Sequence, residues 1–263
     1  MPTLAELRTE RIRLCRLTSE RALGSIDEAE AFLQDRRLLT LVADSSLPSL
    51  FGATHEEAYA PGKAGFGSWP KTKWRWGGEL AARPGVFTPK VHKGKLLFLS
   101  REAATIADPL CRESLARAAD GELGPDAAAV VRHLAVAGPT TVDDLKTELG
   151  LEARVLRSAR EKLEASGAVV AKETLVPVAL EPGHRHSSTL ARWDQVFTAR
   201  RKASSSAALE DLVVLGVRAT VVTHQEEIKT WFSWPVTAGA VDRLVLSGRL
   251  SRPGPGWVAA PQG

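Results

Sequence analysis

A chain of 263 residues with 44% hydrophobic side chains can bury a sizeable core, as one large domain or as two to three small ones. Its 35 Lys and Arg against 31 Asp and Glu leave a formal charge of +4, a balance that admits a polyanionic partner without requiring one. Cys15 and Cys111 are too few and too far apart for a disulfide framework or a cysteine zinc cluster, and charged residues from Glu6 to Arg11 break any signal-peptide core. No apolar run approaches the roughly 20 residues that span a bilayer, so the expected setting is cytoplasmic, nucleoid-associated in a bacterium, with no membrane partner.

Ser25-Ile-Asp-Glu28 reads as a capping box opening a helix over 26 to about 37. Leu38-Leu-Thr-Leu-Val42 reads as a buried strand, and Asp44-Ser-Ser-Leu-Pro48 as a turn with a fresh helix start. From 51 to 100 the chain changes character. Glycines punctuate it, Trp69, Trp74 and Trp76 stand among Lys63, Lys71, Lys73, Arg75, Arg83, Lys90, Lys93 and Lys95, and the acids are Glu56, Glu57 and Glu79. Interleaved aromatics and cations suit base stacking with phosphate neutralisation. The same tryptophans equally suit an interior with the lysines as its rim.

Residues 86–90 and 96–99 read as two β segments joined by the basic turn Val91-His-Lys-Gly-Lys95, which adds His92 to the cations. Residues 101–119 have helical spacing interrupted by Pro109, and Asp120-Gly-Glu-Leu-Gly124 reads as a boundary. This closes an N-terminal α+β region, 1–120, that contains the basic aromatic segment.

Beyond it one pattern occurs twice. Leu145-Lys-Thr-Glu-Leu-Gly-Leu151 precedes Ser166-Gly-Ala-Val169, and Ile228-Lys-Thr-Trp-Phe-Ser-Trp234 precedes Ser247-Gly-Arg-Leu250 at a similar distance. Each copy reads as helix, turn, helix, glycine stop and β-hairpin, the outline of a winged helix, whose second helix commonly enters a DNA major groove. The fold class expected is therefore α+β with tandem winged-helix domains at 121–182 and 207–263, joined by a connecting helix or linker over 183–206.

In the first copy Pro125 suits a first helical turn, Thr141 caps the second helix, and 152–164 forms the third. Its hairpin is expected at 168–171 and 175–180, with 172–174 at the tip. Arg154, Arg157 and Arg160 lie on the exposed side of the third helix, where they suit phosphate or guanine contacts; with Glu152, Glu161 and Glu164 alongside, they equally make an ordinary solvated face. A loop is expected over 181–187 and a connecting helix over 189–202. His184, Arg185 and His186, with Arg200 and Arg201 further on, are DNA-facing candidates; the two histidines have no nearby cysteine to complete a metal set. In the second copy a third helix over 236–246 exposes little charge beyond Asp242 and Arg243, and a hairpin forms at 250–252 and 257–260. That copy reads as scaffold.

No phosphate loop, nucleophile elbow or His-Glu-x-x-His helix occurs, so the generic enzyme routes close and neither a metal nor a cofactor is expected. The run Thr223-His-Gln-Glu-Glu-Ile-Lys-Thr-Trp-Phe-Ser-Trp-Pro235, together with Trp74-Arg-Trp-Gly-Gly-Glu-Leu80 and Gly94-Lys-Leu-Leu-Phe-Leu-Ser100, resembles the AlkZ/YcaQ superfamily of winged-helix DNA glycosylases, and more closely the shorter AlkZ-related proteins. The resemblance covers most of the chain. It implies a grip on duplex DNA and excision of alkylated bases by a glutamine two residues before a second glutamine or an aspartate, on an N-terminal β segment.

Here this chain departs from the family. Two residues beyond Gln34, Gln195 and Gln225 stand Arg36, Phe197 and Glu227, and the corresponding β segment, Arg37-Leu-Leu-Thr-Leu-Val-Ala43, is apolar. An apolar strand does not position a hydrolytic water. The reading favoured is a noncatalytic binder of double-stranded DNA, damaged or branched DNA included, in repair or transcriptional regulation. Two alternatives stay open: a glycosylase with a displaced carboxylate drawn from Asp35, Asp44 or Glu79, and winged helices that contact protein.

Overall fold

A computed structural model describes residues 2–177 and 184–261, and the side chains of all these except 173–177 and 184–187. Helix α1 (Leu4–Leu14) begins where the Thr3 hydroxyl accepts the Glu6 N–H and the Glu6 carboxylate accepts the Thr3 N–H at 2.7 Å. Helix α2 (Ile26–Arg36) is capped by Ser25, which accepts the Glu28 N–H at 3.2 Å. The expected box closes one residue early, because the Glu28 carboxylate takes the N–H of Gly24.

Arg37, at φ 70°, ends α2 and turns the chain into β1 (Leu38–Thr40). No α-helix follows Pro48. The chain doubles back instead, the N–H groups of Leu50 and Phe51 donating to the carbonyls of Thr40 and Leu41, and makes only a single tight turn at Gly52–Thr54. After the short α3 (Trp76–Ala81), β2 (Leu97–Leu99) pairs antiparallel with β1. The strand expected over 86–90 reduces to one bridge at Phe87, because Pro89 has no N–H to give and only accepts, from Leu97 at 2.9 Å. Helix α4 (Arg101–Ala119) runs unbroken through Pro109.

Two runs of similar element order follow. The first copy is α5 (Pro125–Ala137), β3 (Thr140–Thr141), α6 (Val142–Glu148), α7 (Ala153–Ser166), β4 (Val169–Pro177) and β5 (His184–Arg192). A one-turn α8 (Trp193–Val196) leads on. The second copy is α9 (Ser205–Thr220), β6 (Val222–His224), α10 (Gln225–Ile228), α11 (Ala240–Leu246), β7 (Ser251–Gly254) and β8 (Trp257–Ala259). In both copies the sheet is antiparallel and its first strand pairs with the last, giving the orders β3-β5-β4 and β6-β8-β7.

Three sequence expectations are corrected here. The first hairpin is longer than expected, with Val169 opposite Arg192 and Pro177 opposite His184, so 172–174 lie within a strand and not at its tip. The stretch read as a loop at 184–187 and as helix from 189 is strand β5 to Arg192, followed only by α8, because it pairs with β4 along its whole length and with β3 at Thr189 and Leu190. The third helix of the second copy starts at Ala240, with Gly239 in the left-handed region at its entry.

The cores explain why the two copies differ. One hydrophobic cluster joins β2 and α4 to α9, Trp231, Phe232 and Trp234, so the second copy shares its interior with the N-terminal region. Helix α1 lies on the second sheet as well, with Leu7 packed against Val222 and Ala259. The first copy keeps a core of its own, from Leu115 and Val130 to Leu156, Leu163 and Leu190. Gly216 shows how tight the shared core is: a Cβ there would stand 2.6 Å from the Trp231 ring.

Candidate nucleic-acid interface

Helix α7 buries Leu156, Ala159 and Leu163 at helical spacing, which turns 154, 157, 158, 161 and 162 to solvent. Its C-terminal end is fixed to the body. Gly167, at φ 80°, ends the helix, and a Cβ on it would lie 3.0 Å from both Trp234 and Val91. Glu164 is 3% exposed and receives Lys90 Nζ at 2.7 Å and Arg160 Nε at 3.0 Å, while Arg160 also donates to Ser188. Lys90 and Arg160, both DNA-facing candidates from the sequence, are thus spent on a buried carboxylate.

Arg154 and Arg157 are different. Both are exposed, and neither has a hydrogen-bond or ion-pair partner among the described residues. They stand in the N-terminal half of α7, whose unpaired amides already carry positive dipole charge. Glu152 and Glu161, both exposed, flank them in sequence. Lys162 donates to the Leu123 carbonyl at 3.5 Å, and Lys172 is exposed on β4.

The equivalent surface of the second copy is neutralised. Arg243 is held by Glu210, Arg252 by Asp242 and Gln225, and Arg249 by Asp211. Trp257 on its hairpin is covered by Arg8 of α1, 4.4 Å from the ring centroid. Trp231, Phe232 and Trp234 are all buried, as the scaffold reading expects.

The basic aromatic segment divides. Trp69 and Trp76 pack against the N-terminal core, with Trp69 5.4 Å from Phe51. Trp74 is exposed beside Phe66 and Arg75. Lys73 is turned inward, donating to the Leu23 carbonyl at 2.9 Å and lying 5.2 Å from the Trp76 ring centroid. Lys71 and Arg75 remain exposed, with Glu79 3.9 Å from Arg75. Tyr59 and Phe66, which sequence reasoning did not single out, join Trp74 at the surface; aromatic residues between glycines in a lysine-rich stretch were the signal available.

The turn 91–95 folds around Asp44. His92 is fully buried, with Nδ1 2.7 Å from the Trp231 carbonyl oxygen and Nε2 2.8 Å from Asp44 Oδ1. Lys95 donates to Asp44 Oδ2 at 2.5 Å and Lys93 to the Asp44 carbonyl at 2.8 Å. Partial burial pushes the Asp44 carboxyl up, but the hydrogen bonds from Lys95 and His92 outweigh it and hold the group below the usual carboxylate range. This cluster ties the N-terminal region to the second copy.

The other carboxylate candidates stand apart. Asp35 pairs with Arg36 at 2.9 Å on α2, Glu79 lies on α3, and both are exposed. Strand β1, where the glutamine motif is absent, is wholly buried, and Thr40 Oγ1 donates to the Val42 carbonyl. Arg200 is exposed without a partner among the described residues, whereas Arg201 pairs with Asp211 and its backbone N–H donates to the buried Asp108 at 3.1 Å. The side chains of His184, Arg185 and His186 lie outside the described residues. Among those described, no group of three or more His, Cys, Asp and Glu could hold a metal ion, and no helix is long and apolar enough to cross a membrane. Both thiols are buried, and burial pushes Cys111 well up.

No protein-family model and no curated protein matches the chain. A solved structure does, that of the Streptomyces sahachiroi DNA glycosylase AlkZ, with a TM-score of 0.56 at 12% sequence identity, over 95% of this chain and 67% of the AlkZ chain. The likeness read from the sequence is therefore one of fold: the chain has an AlkZ-like α+β architecture of helices and small antiparallel sheets.

Proposed function

We propose that the protein binds double-stranded DNA through the first of two winged helices and performs no chemistry on it, acting as a repair accessory factor or regulator on the nucleoid or elsewhere in a cytoplasm. Both repeats have the element order and the first-to-last strand pairing of a winged helix. The observation that carries the reading is the solvent face of α7, where Arg154 and Arg157 are exposed and without a partner among the described residues, while Arg243, Arg249 and Arg252 around the third helix and hairpin of the second copy are each held by a carboxylate. Lys172 on the hairpin and Arg200 beyond it extend the contact, as do Lys71 and Arg75. The ion pairs of Lys90 and Arg160 with the buried Glu164, and of Arg201 with the partly exposed Asp211, support a scaffold role for these three. His184, Arg185 and His186 remain candidates through their place on β5.

The absence of base chemistry rests on β1, which offers no exposed polar side chain to position water. One observation favours a second reading, an alkyl-base glycosylase with an altered site. Asp44 is ionised below the usual range and partly exposed, and an anion of that kind could stabilise a cationic sugar. Titration with plain, branched and alkylated duplexes at two salt concentrations, scored for binding and base release, tests both. Steeply salt-dependent binding without product is expected. Base release that Asp44→Asn abolishes would establish the enzyme, and no duplex binding even at low salt would leave protein contact as the role of the repeats.

A further inference from the structure

Three large aromatic side chains stand at the surface of one short segment: Tyr59 is 57% exposed, Phe66 44% and Trp74 40%. They form a connected set. Tyr59 and Phe66 have ring centroids 5.2 Å apart, Phe66 and Trp74 5.5 Å, and Phe66 and Trp69 5.2 Å. Trp69 in turn meets Phe51 inside the N-terminal core. The ring series thus runs from the interior out to solvent and is anchored at its inner end.

The backbone beneath is held in place. Tyr59 N–H donates to the Trp69 carbonyl at 2.7 Å, Ala60 N–H to Gly67 at 2.8 Å and Lys71 N–H to Glu57 at 2.9 Å. The Glu56 carboxylate accepts the N–H groups of Thr72 and Lys73 at 2.8 and 2.9 Å, which uses up that charge locally. Gly67 lets the two sides of the loop close, since a Cβ there would lie 2.6 Å from Lys63 Cβ. Around the rings stand exposed Lys63, Lys71 and Arg75, the last with its guanidinium carbon 5.9 Å from the Trp74 centroid.

Exposed rings beside cations fit either nucleobases with their phosphates or an anionic lipid surface. Composition decides between them. Residues 56–75 contain no Leu, Ile, Val or Met, so the segment offers π faces without the aliphatic bulk that insertion into acyl chains uses. We infer that Tyr59, Phe66 and Trp74 form a stacking platform for unpaired nucleobases, with Lys63, Lys71 and Arg75 neutralising the adjoining phosphates. The inference rests on the DNA-binding reading and deepens it: the preferred substrate is a duplex with unpaired or unstacked bases next to the paired stretch that α7 grips. A base in a perfect duplex is already stacked and gains little from the platform. An unpaired base gains a stacking partner without first losing one.

The test uses the full chain and fluorescein-labelled DNA: a perfect duplex, the same duplex with a three-base bulge, and an oligothymidylate strand. The wild-type protein is expected to prefer the bulged over the perfect duplex by at least tenfold, about 1.4 kcal/mol. Trp74→Leu with Tyr59→Ala should remove that preference and leave perfect-duplex binding within about threefold, because stacking is the term lost. Trp74→Leu keeps apolar bulk and removes the π face, so a greasy contact would survive it. Thermal unfolding checks that the variant is folded; if it is not, Trp74→Leu alone, at an exposed position, replaces it and should weaken bulge and oligothymidylate binding while leaving perfect-duplex binding within about threefold. Equal wild-type affinity for perfect and bulged duplexes would overturn the platform while the duplex reading stands. Binding to phosphatidylserine vesicles with no binding to any of the three DNAs would overturn both.

Discussion

Lys90 Nζ lies 2.7 Å from Glu164 Oε2, across 74 residues of sequence, and the other oxygen of that carboxylate receives Arg160. Lys90, which read as a phosphate contact, is therefore the means by which α7 is fastened to the N-terminal region, and Arg160, on α7 itself, braces the same carboxylate. Removing the shared carboxylate strands two cations beside a buried surface. Glu164→Ala should cost about 3 kcal/mol, the magnitude for breaking a buried pair, read from the urea midpoint. A midpoint unchanged from wild type would show the triad to be idle.

Asp44 makes stability depend on acid. Its folded-state carboxyl titrates below the unfolded value, so as pH falls the unfolded chain takes up the proton first. The stabilisation is complete above the unfolded aspartate pKa of about 3.9 and is lost as pH falls through the lower folded value. Urea unfolding between pH 3 and pH 6 should show a steeper acid decline for wild type than for Asp44→Asn, whose stability at pH 6 should already be reduced. Parallel profiles would contradict the clamp.

Gly216 sets two effects against each other. Alanine in a helix interior gains up to about 1 kcal/mol over glycine, but here its Cβ would stand 2.6 Å from the fully buried Trp231 ring. Overpacking costs about 1–3 kcal/mol, so the clash wins. Gly216→Ala should lower the melting temperature by several degrees, and an increase would show that Trp231 has room to move.

The repeat was legible because its signals are local. Thr141 accepts the Asp144 N–H at 3.1 Å, Pro125 opens α5, and Gly167 closes α7 as their positions predict. Strand β5 was not legible. Residues 184–187 are polar and those from 189 on have helix-compatible spacing, and only pairing with β4 and β3 makes them strand. The same limit governs the site. The i,i+4 spacing of Arg160 and Glu164 is local, but nothing near either reports that the glutamate is buried or that Lys90 reaches it from 74 residues away, and nothing in the spacing of Trp69, Trp74 and Trp76 tells which ring meets Phe51 and which meets water. What composition did carry was the pairing of aromatics with cations, and Tyr59 and Phe66 join that set at the surface.

The salt dependence of duplex binding by Arg154→Ala with Arg157→Ala tests the central claim most directly, with Arg160→Ala as the comparison. Each phosphate contact contributes about 0.9 to the slope of log affinity against log salt. The double variant should bind at least tenfold more weakly at low salt and lose about 1.8 of that slope, whereas Arg160→Ala should keep the wild-type slope and lose folding stability. A double variant with wild-type affinity and slope would contradict the assignment of α7 as the DNA-contacting helix.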